Sequence, residues 1–369
     1  MKAAAPRNIR IVQLLASLKY GDGIGNDCLA IYRTLKEAGY DTAIYSGNID
    51  DRILERGLQD VKALDKYHDD ADILICHIGY RWDYMRKLDR MRGKKILVWH
   101  NITPPDLLEE YGDFETASGC RIGLEQLREI KQMPSLCLTS SSYNKRDLEK
   151  LGYRCPIHIF PHLAEFKSET EEDFDRELFS RYTADGFTNI LFVGRIVPNK
   201  RQQDIIASFY HYHTFINPHS RLFIVGGGDE NSAYCKAINA YPRFLKLDSV
   251  IFTGHVSDRQ KASYYRLADV FLCMSAHEGF CVPLLEAMHY KVPIVACDSS
   301  AVTETLGGAG LIVRKRSAAV VAEAIDRSVA DRKLRDTLIA NGTERLADFA
   351  EDKVKSALLK EISAFTQEI

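Results

Sequence analysis

Along the whole chain, short apolar runs alternate with longer stretches whose apolar residues recur at helical spacing. That alternation is the signature of repeated βα units and of parallel sheets covered by helices on both faces. The first series of expected strands is Ile9–Leu15, Asp41–Tyr45, Ile73–His77, Lys95–His100, Leu136–Thr139 and Ile157–Phe160. Helical patterns near Asn26–Ala38, Trp82–Met91, Phe114–Lys131 and Asn144–Leu151 separate them. A polar, acidic and patternless stretch, Glu165–Asp175, follows, and a fresh strand begins only after Gly186. The second series is Asn189–Val193, Arg221–Val225, Val250–Phe252, Val270–Cys273, Ile294–Ala296 and Leu311–Val313, with helical patterns between.

Two such series in 369 residues predict two Rossmann-like, doubly wound α/β domains. The expected boundaries are 1–168 for the first domain, 169–187 for a linker, and 188–350 for the second domain. A final amphipathic helix, 351–369, is expected to pack back toward the first domain. Doubly wound domains bind ligands at the carboxyl ends of their strands, so a cleft between the two is the expected site.

Composition narrows the classes further. With 49 Lys+Arg against 51 Asp+Glu, the chain has no overall charge suited to coating nucleic acid. No stretch approaches the ~20 apolar residues of a membrane span, and Met1 to Arg10 lacks the apolar core of a secretory signal, so a cytoplasmic address is expected. Nine cysteines form no Cys-x-x-Cys pair, and Cys76, Cys273 and Cys297 lie inside apolar runs, so they read as reduced core residues.

Three segments carry candidate chemistry. The first runs from His277 through Glu278, Gly279, Phe280, Cys281, Val282 and Pro283 to Glu286. A strand ends just before it and a helix opens at its proline. The backbone N–H groups of Phe280, Cys281 and Val282 would then face outward at a helix N-terminus, where a phosphate is stabilised. Glu286, one turn further, would reach sugar hydroxyls. The alternative is that both glutamates are solvated acids of a helix start. The second segment, Gly194-Arg195-Ile196-Val197-Pro198-Asn199-Lys200, sets two cations on the loop after a strand, a pairing suited to a diphosphate or to plain solvation. The third, Gly21-Asp22-Gly23-Ile24-Gly25-Asn26, follows the first strand and suggests phosphate or sugar approaching backbone. It also raises a dinucleotide oxidoreductase, against which stand its Gly-x-Gly-x-Gly spacing and the absence of an acid after Tyr45.

Glu278-x7-Glu286, Gly194-Arg195 with Lys200, the Gly226-Gly227-Gly228 turn and Phe252-Thr253-Gly254-His255-Val256 together resemble the retaining, nucleotide-sugar-dependent glycosyltransferases of family 4. These belong to the glycogen-synthase-like superfamily and have the glycosyltransferase-B fold. The resemblance implies that Glu286 binds donor ribose, that Arg195 and Lys200 bind its diphosphate, and that Phe280 and Cys281 backbone meets the phosphate. It implies that Glu278 contacts the transferred sugar, that His255–Val256 borders the base, that Gly23–Gly25 touches donor phosphate or sugar, and that His100 contacts the sugar. Cys281 stands where the family commonly has glycine.

The expected activity is hexosyl transfer from a sugar nucleotide, with mannose from GDP-mannose or a UDP-sugar as donor, to a glycan or lipid-linked acceptor. No cofactor, metal or nucleic acid is expected; Asp70-Ala71-Asp72 precedes a strand and reads as a solvated loop. A phosphorylase-like or epimerase enzyme and a non-catalytic nucleotide-sugar scaffold are the alternatives. The basic stretch Arg81–Lys95 reads either as a crossover helix packed on the sheet or as a contact with an anionic membrane at its inner face.

Overall fold

The computed structural model of the chain describes residues 9–163 and 174–367. These divide into two compact units. The first comprises 9–102, 118–163 and 349–367, and the second 103–117 and 174–348.

In the first unit the strands are β1 (Arg10–Leu15), β2 (Asp41–Ser46), β3 (Val61–Ala63), β4 (Ile73–Ile78), β5 (Lys94–Trp99), β6 (Leu136–Thr139) and β7 (Ile157–Ile159). They form one parallel sheet in the order β3-β2-β1-β4-β5-β6-β7. Near-continuous Ile, Leu and Val runs suit strands covered on both faces. The chain leaves β1 in one direction and β4 in the other, so the loops after these neighbours diverge and open a crevice at their carboxyl ends. The last helix, Glu351–Thr366, lays Val354, Leu358, Ile362 and Phe365 into the same core as Ile11, Ile31, Ile73 and Leu136.

The second unit carries β8 (Thr188–Val193), β9 (Ser220–Val225), β10 (Val250–Gly254), β11 (Val270–Cys273), β12 (Ile294–Cys297) and β13 (Leu311–Val313). Its parallel sheet has the order β10-β9-β8-β11-β12-β13, with the same reversal between β8 and β11. Ile190, Phe192, Leu222, Ile224, Val270 and Leu272 form the middle of its core.

Five sequence expectations change. Trp82–Met91 is not a crossover helix: only Met85–Leu88 is helical, because Trp82, Met85 and Leu88 recur every third residue and all are buried. Gln126 pins this segment by bonding both the N–H and the carbonyl of Trp82, at 3.0 and 3.1 Å. Gly93 turns it into β5 at φ +77, where a Cβ would sit 2.5 Å from the Ala71 carbonyl. Gly23 and Gly25 do not form a turn; they lie in the first turns of the helix Gly23–Glu37. Of the expected linker, 169–173 lie outside the described residues, while Arg176–Thr183 is a helix capped by Asp175, whose carboxylate accepts from Leu178 N–H. Residues 103–117 group with the second unit, where the Tyr111 hydroxyl accepts from Arg201 and Gln203 at 3.2 and 2.6 Å and its ring meets Tyr234 edge-on. Asp70 and Asp72 are tied rather than merely solvated: Arg10 pairs with Asp70 at 3.1 Å, and its N–H donates to Asp72.

Candidate active site

The reversal between β8 and β11 brings two loops together in the second unit. Lys200 lies in a single turn, Pro198–Lys200, that follows β8, and its ammonium donates to Glu278 Oε1 at 2.6 Å. The loops are also joined through backbone: Ala276 N–H donates to Asn199 O at 2.8 Å, and Asn199 Nδ2 to His277 O at 3.1 Å. Side-chain exposure is 19% for Lys200 and 9% for Glu278, so the pair is largely out of water. Burial alone would lower the Lys200 pKa; the Glu278 carboxylate overrides this and holds it above its ordinary value.

The β11 exit loop is held from several sides. Glu278 N–H donates to Ser300 Oγ at 2.7 Å, Thr305 Oγ1 to Phe280 O at 2.6 Å, and Arg316 to the carbonyls of Met274 and Ser275 at 3.2 and 3.0 Å. Cys281, the residue before the helix Val282–His289, adopts φ +77 and ψ 68. A non-glycine residue is strained there, so this bonding holds a conformation that glycine adopts freely. The amides of Cys281 and Val282 open the helix, as a phosphate site requires.

Glu286 lies one turn into that helix. Lys261 donates to Oε1 and the Tyr265 hydroxyl to Oε2, each at 2.7 Å. Burial and then the Glu286 charge push the Tyr265 hydroxyl pKa well up, so it stays a donor. Lys261 and Tyr265 escape a sequence reading, although their spacing of four on the helix Asp258–Leu267 puts them on one face. The glycine turn after β9 packs on both neighbouring loops: a Cβ at Gly226 would meet Gly194 O at 2.3 Å, and one at Gly227 would meet His255 Nε2 at 2.8 Å. His255 is exposed beyond β10 with Val256 beside it. Arg195 is exposed, and its carbonyl accepts from Gln202 Nε2 at 2.7 Å.

Gly23, Gly25 and His100 belong to the first unit. Gly25 is explained by packing, because a Cβ there would sit 2.3 Å from the Lys19 carbonyl. His100, just after β5, has 2% of its side chain exposed. Its Nε2 lies 2.9 Å from His77 Nδ1, and its Nδ1 faces Asp27 Oδ2 at 3.9 Å. Both ring nitrogens are directed into this buried cluster. Burial, then the His77 charge, pushes its pKa well below the usual histidine value, and burial lowers that of His77 to about 4. Asp27 and His162 complete the cluster, and neither carries a local sequence signal.

Residues 174–345 match the family described as glycosyl transferases group 1. This segment lies within the second unit and contains Arg195, Lys200, Glu278 and Glu286. Among curated proteins, the capsular polysaccharide biosynthesis glycosyltransferase CapM of Staphylococcus aureus is 28% identical over 187 residues, covering 50% of this chain and 47% of CapM. The N,N'-diacetylbacillosaminyl-diphospho-undecaprenol alpha-1,3-N-acetylgalactosaminyltransferase of Campylobacter jejuni is 29% identical over 157 residues, covering 42% of this chain and 40% of that protein. The chain thus spans less than half the length of these relatives. Anabaena HepE, solved with UDP-glucose, superposes with a TM-score of 0.77 at 15% identity, over 97% of this chain and 100% of HepE. That likeness is one of fold: two parallel-sheet Rossmann-like domains of the glycosyltransferase-B class.

His277 provides a test of the site's electrostatics. It is buried, and burial with the nearby Lys200 lowers its pKa to about 4, against 6.5 in an unfolded chain. The unfolded state therefore takes up the proton first as pH falls below 6.5, and stability is lost progressively toward pH 4. Between pH 7 and pH 5 this residue alone should cost about 2 kcal/mol. Urea denaturation of wild type and His277→Gln should show the loss shrinking by that amount in the variant.

Proposed function

We propose that this chain is a retaining glycosyltransferase that moves a hexose from a sugar nucleotide to a glycan or lipid-linked acceptor. The observation that carries the reading is the Lys200–Glu278 pair where β8 and β11 diverge, followed by a helix with Glu286 one turn in, within a segment matching a glycosyltransferase family. Loss of a sugar from a nucleoside diphosphate builds negative charge on the departing phosphate. Lys200, Arg195 and the amides of Phe280, Cys281 and Val282 stabilise that charge, and Gly194 lets backbone approach it. Glu286, already oriented by Lys261 and Tyr265, takes the ribose hydroxyls. Glu278 takes hydroxyls of the transferred sugar, and His255 and Val256 border the base.

For the donor, UDP-sugars and GDP-mannose are the two candidates. HepE carries UDP-glucose, which supports the first, and GDP-mannose follows from the family resemblance alone. Retention is what the family resemblance carried by Glu278-x7-Glu286 implies. A lipid-linked acceptor is supported by the undecaprenol-linked substrate in the name of the Campylobacter relative. No described helix is long and apolar enough to cross a membrane. Contact with an anionic inner membrane face would be electrostatic, since Trp82, Met85 and Leu88 are buried, while Arg81, Arg86, Lys87, Arg90 and Arg92 are exposed and outnumber the exposed Asp83 and Asp89.

Three variants separate structure from chemistry. Lys200→Ala strands the Glu278 carboxylate, so it should lose about 2–3 kcal/mol of stability, less than a fully enclosed pair because Lys200 keeps some contact with water. The double variant Lys200→Met with Glu278→Gln should recover most of that. Glu286→Ala should fold normally. All three should transfer sugar at a rate reduced ~100-fold or more, as for loss of one transition-state charge contact. Wild-type turnover in a folded variant would overturn the reading. Flotation with anionic vesicles at low salt should carry the protein, and binding that survives high salt would contradict a purely electrostatic contact.

A further inference from the structure

Arg201 is the one residue between the turn Pro198–Lys200 and the helix Gln202–Phe215, closing the first and opening the second. Its backbone is left-handed, at φ 57 and ψ 46, a conformation that a residue with a Cβ keeps only where its surroundings impose it. Nothing local imposes it here. The position holds neither glycine nor asparagine, and the Arg201 side chain makes no capping bond to the helix it opens.

The imposing contacts are made by the guanidinium. Its Nε donates to Asp204 Oδ2 at 2.8 Å and its Nη2 to Asp204 Oδ1 at 3.4 Å, while Nη1 donates to the Tyr111 hydroxyl at 3.2 Å and lies 3.7 Å from Glu110. The Tyr111 hydroxyl also accepts from Gln203 Nε2 at 2.6 Å, so it is itself tied to the helix. Arg201 and Asp204 expose 22% and 18% of their side chains, and a grip so placed is screened less than a surface pair.

The two sides of Arg201 differ in freedom. The helix is fixed, because Ile205, Ile206 and Phe209 are fully buried in the core and Gln202 N–H donates to the Tyr234 hydroxyl at 3.0 Å. The turn has only three residues and the Lys200 side chain reaches across to another loop. Relaxation of Arg201 to an ordinary helical φ of about −60° would therefore swing the turn, and draw the Lys200 ammonium off Glu278.

We propose that Arg201 is the positioning residue for Lys200, held left-handed by Asp204 and Tyr111 so that the ammonium stays against Glu278. The proposal deepens the transfer reading and rests on it for the use to which Lys200 is put. Glycine adopts this conformation without any grip, so Arg201→Gly removes the guanidinium and the strain together, whereas Arg201→Ala removes the guanidinium and keeps the strain.

The test compares these two variants of the full chain, checked for wild-type circular dichroism, by two measurements. Reductive methylation with formaldehyde and dimethylamine-borane, read by peptide mass spectrometry, reports how readily the Lys200 amine leaves Glu278 and needs no sugar donor. Turnover with a sugar nucleotide reports its use. Arg201→Ala should methylate at Lys200 ~10-fold faster than wild type and transfer sugar ~10-fold more slowly, while Arg201→Gly stays within about two-fold of wild type in both. Tyr111→Phe should move in the direction of Arg201→Ala, and its effect should disappear in the Arg201→Gly background. Equal behaviour of Arg201→Ala and Arg201→Gly, or a Tyr111→Phe effect that persists beside Arg201→Gly, would overturn the proposal. Methylation that separates the two Arg201 variants in a protein without any transfer would overturn the transfer reading instead and leave the hold on Lys200 standing.

Discussion

The ion pair between Lys200 and Glu278 joins two loops that are 78 residues apart in sequence, and the rest of the second unit is arranged so that they meet. They meet because β8 and β11 are neighbours at the point where the sheet reverses direction. Loops on either side of any other strand pair in that sheet pass along the same face. Such a pair stabilises the fold little, since desolvating both ions offsets most of their attraction. In the proposed function its value would be electrostatic, because a cation held in a partly dry loop interacts more strongly with a phosphate than one in water. The bonds from Ser300, Thr305 and Arg316 hold the loop, and with it the unusual backbone of Cys281, in the form that points helix amides outward.

The first unit has the same sheet reversal and fills it with different chemistry. Its crevice at β1 and β4 holds no buried ammonium; a carboxylate, Asp27, stands among the imidazoles of His77, His100 and His162. Burial pushes the Asp27 carboxyl up, yet the charge and hydrogen bond of His162 outweigh it and hold the carboxyl below its ordinary value. One fold device thus sets a lysine against a glutamate in the second unit and an aspartate among histidines in the first. Substrate class is decided by the few side chains at the strand ends, not by the fold.

The alternation of apolar runs makes both sheets legible, and Glu278, Glu286 and Lys200 are legible because turn, proline and charge fall within a dozen residues of one another. What escapes is long-range. Asp27 and His162 are 135 positions apart in the sequence, and only the strand order brings them together. Lys261 and Tyr265 are conspicuous only once Glu286 is known to face them. The helical reading of Trp82–Met91 fails because a three-residue apolar period serves a tight turn equally well. The helix Arg332–Leu346 goes unread because its buried residues, Leu338 and Gly342, leave no apolar stripe.

The central claim is that Lys200, set against Glu278, makes the second unit a binding site for the diphosphate of a sugar nucleotide. Calorimetric titration of the full chain with UDP-glucose and GDP-mannose, using wild type and the Lys200→Met, Glu278→Gln double variant, tests it most directly. The account predicts that wild type binds one of the two donors, more weakly as salt is raised, and that the folded double variant loses that binding. Equal binding by the two proteins, or no binding of either donor by wild type, would contradict it.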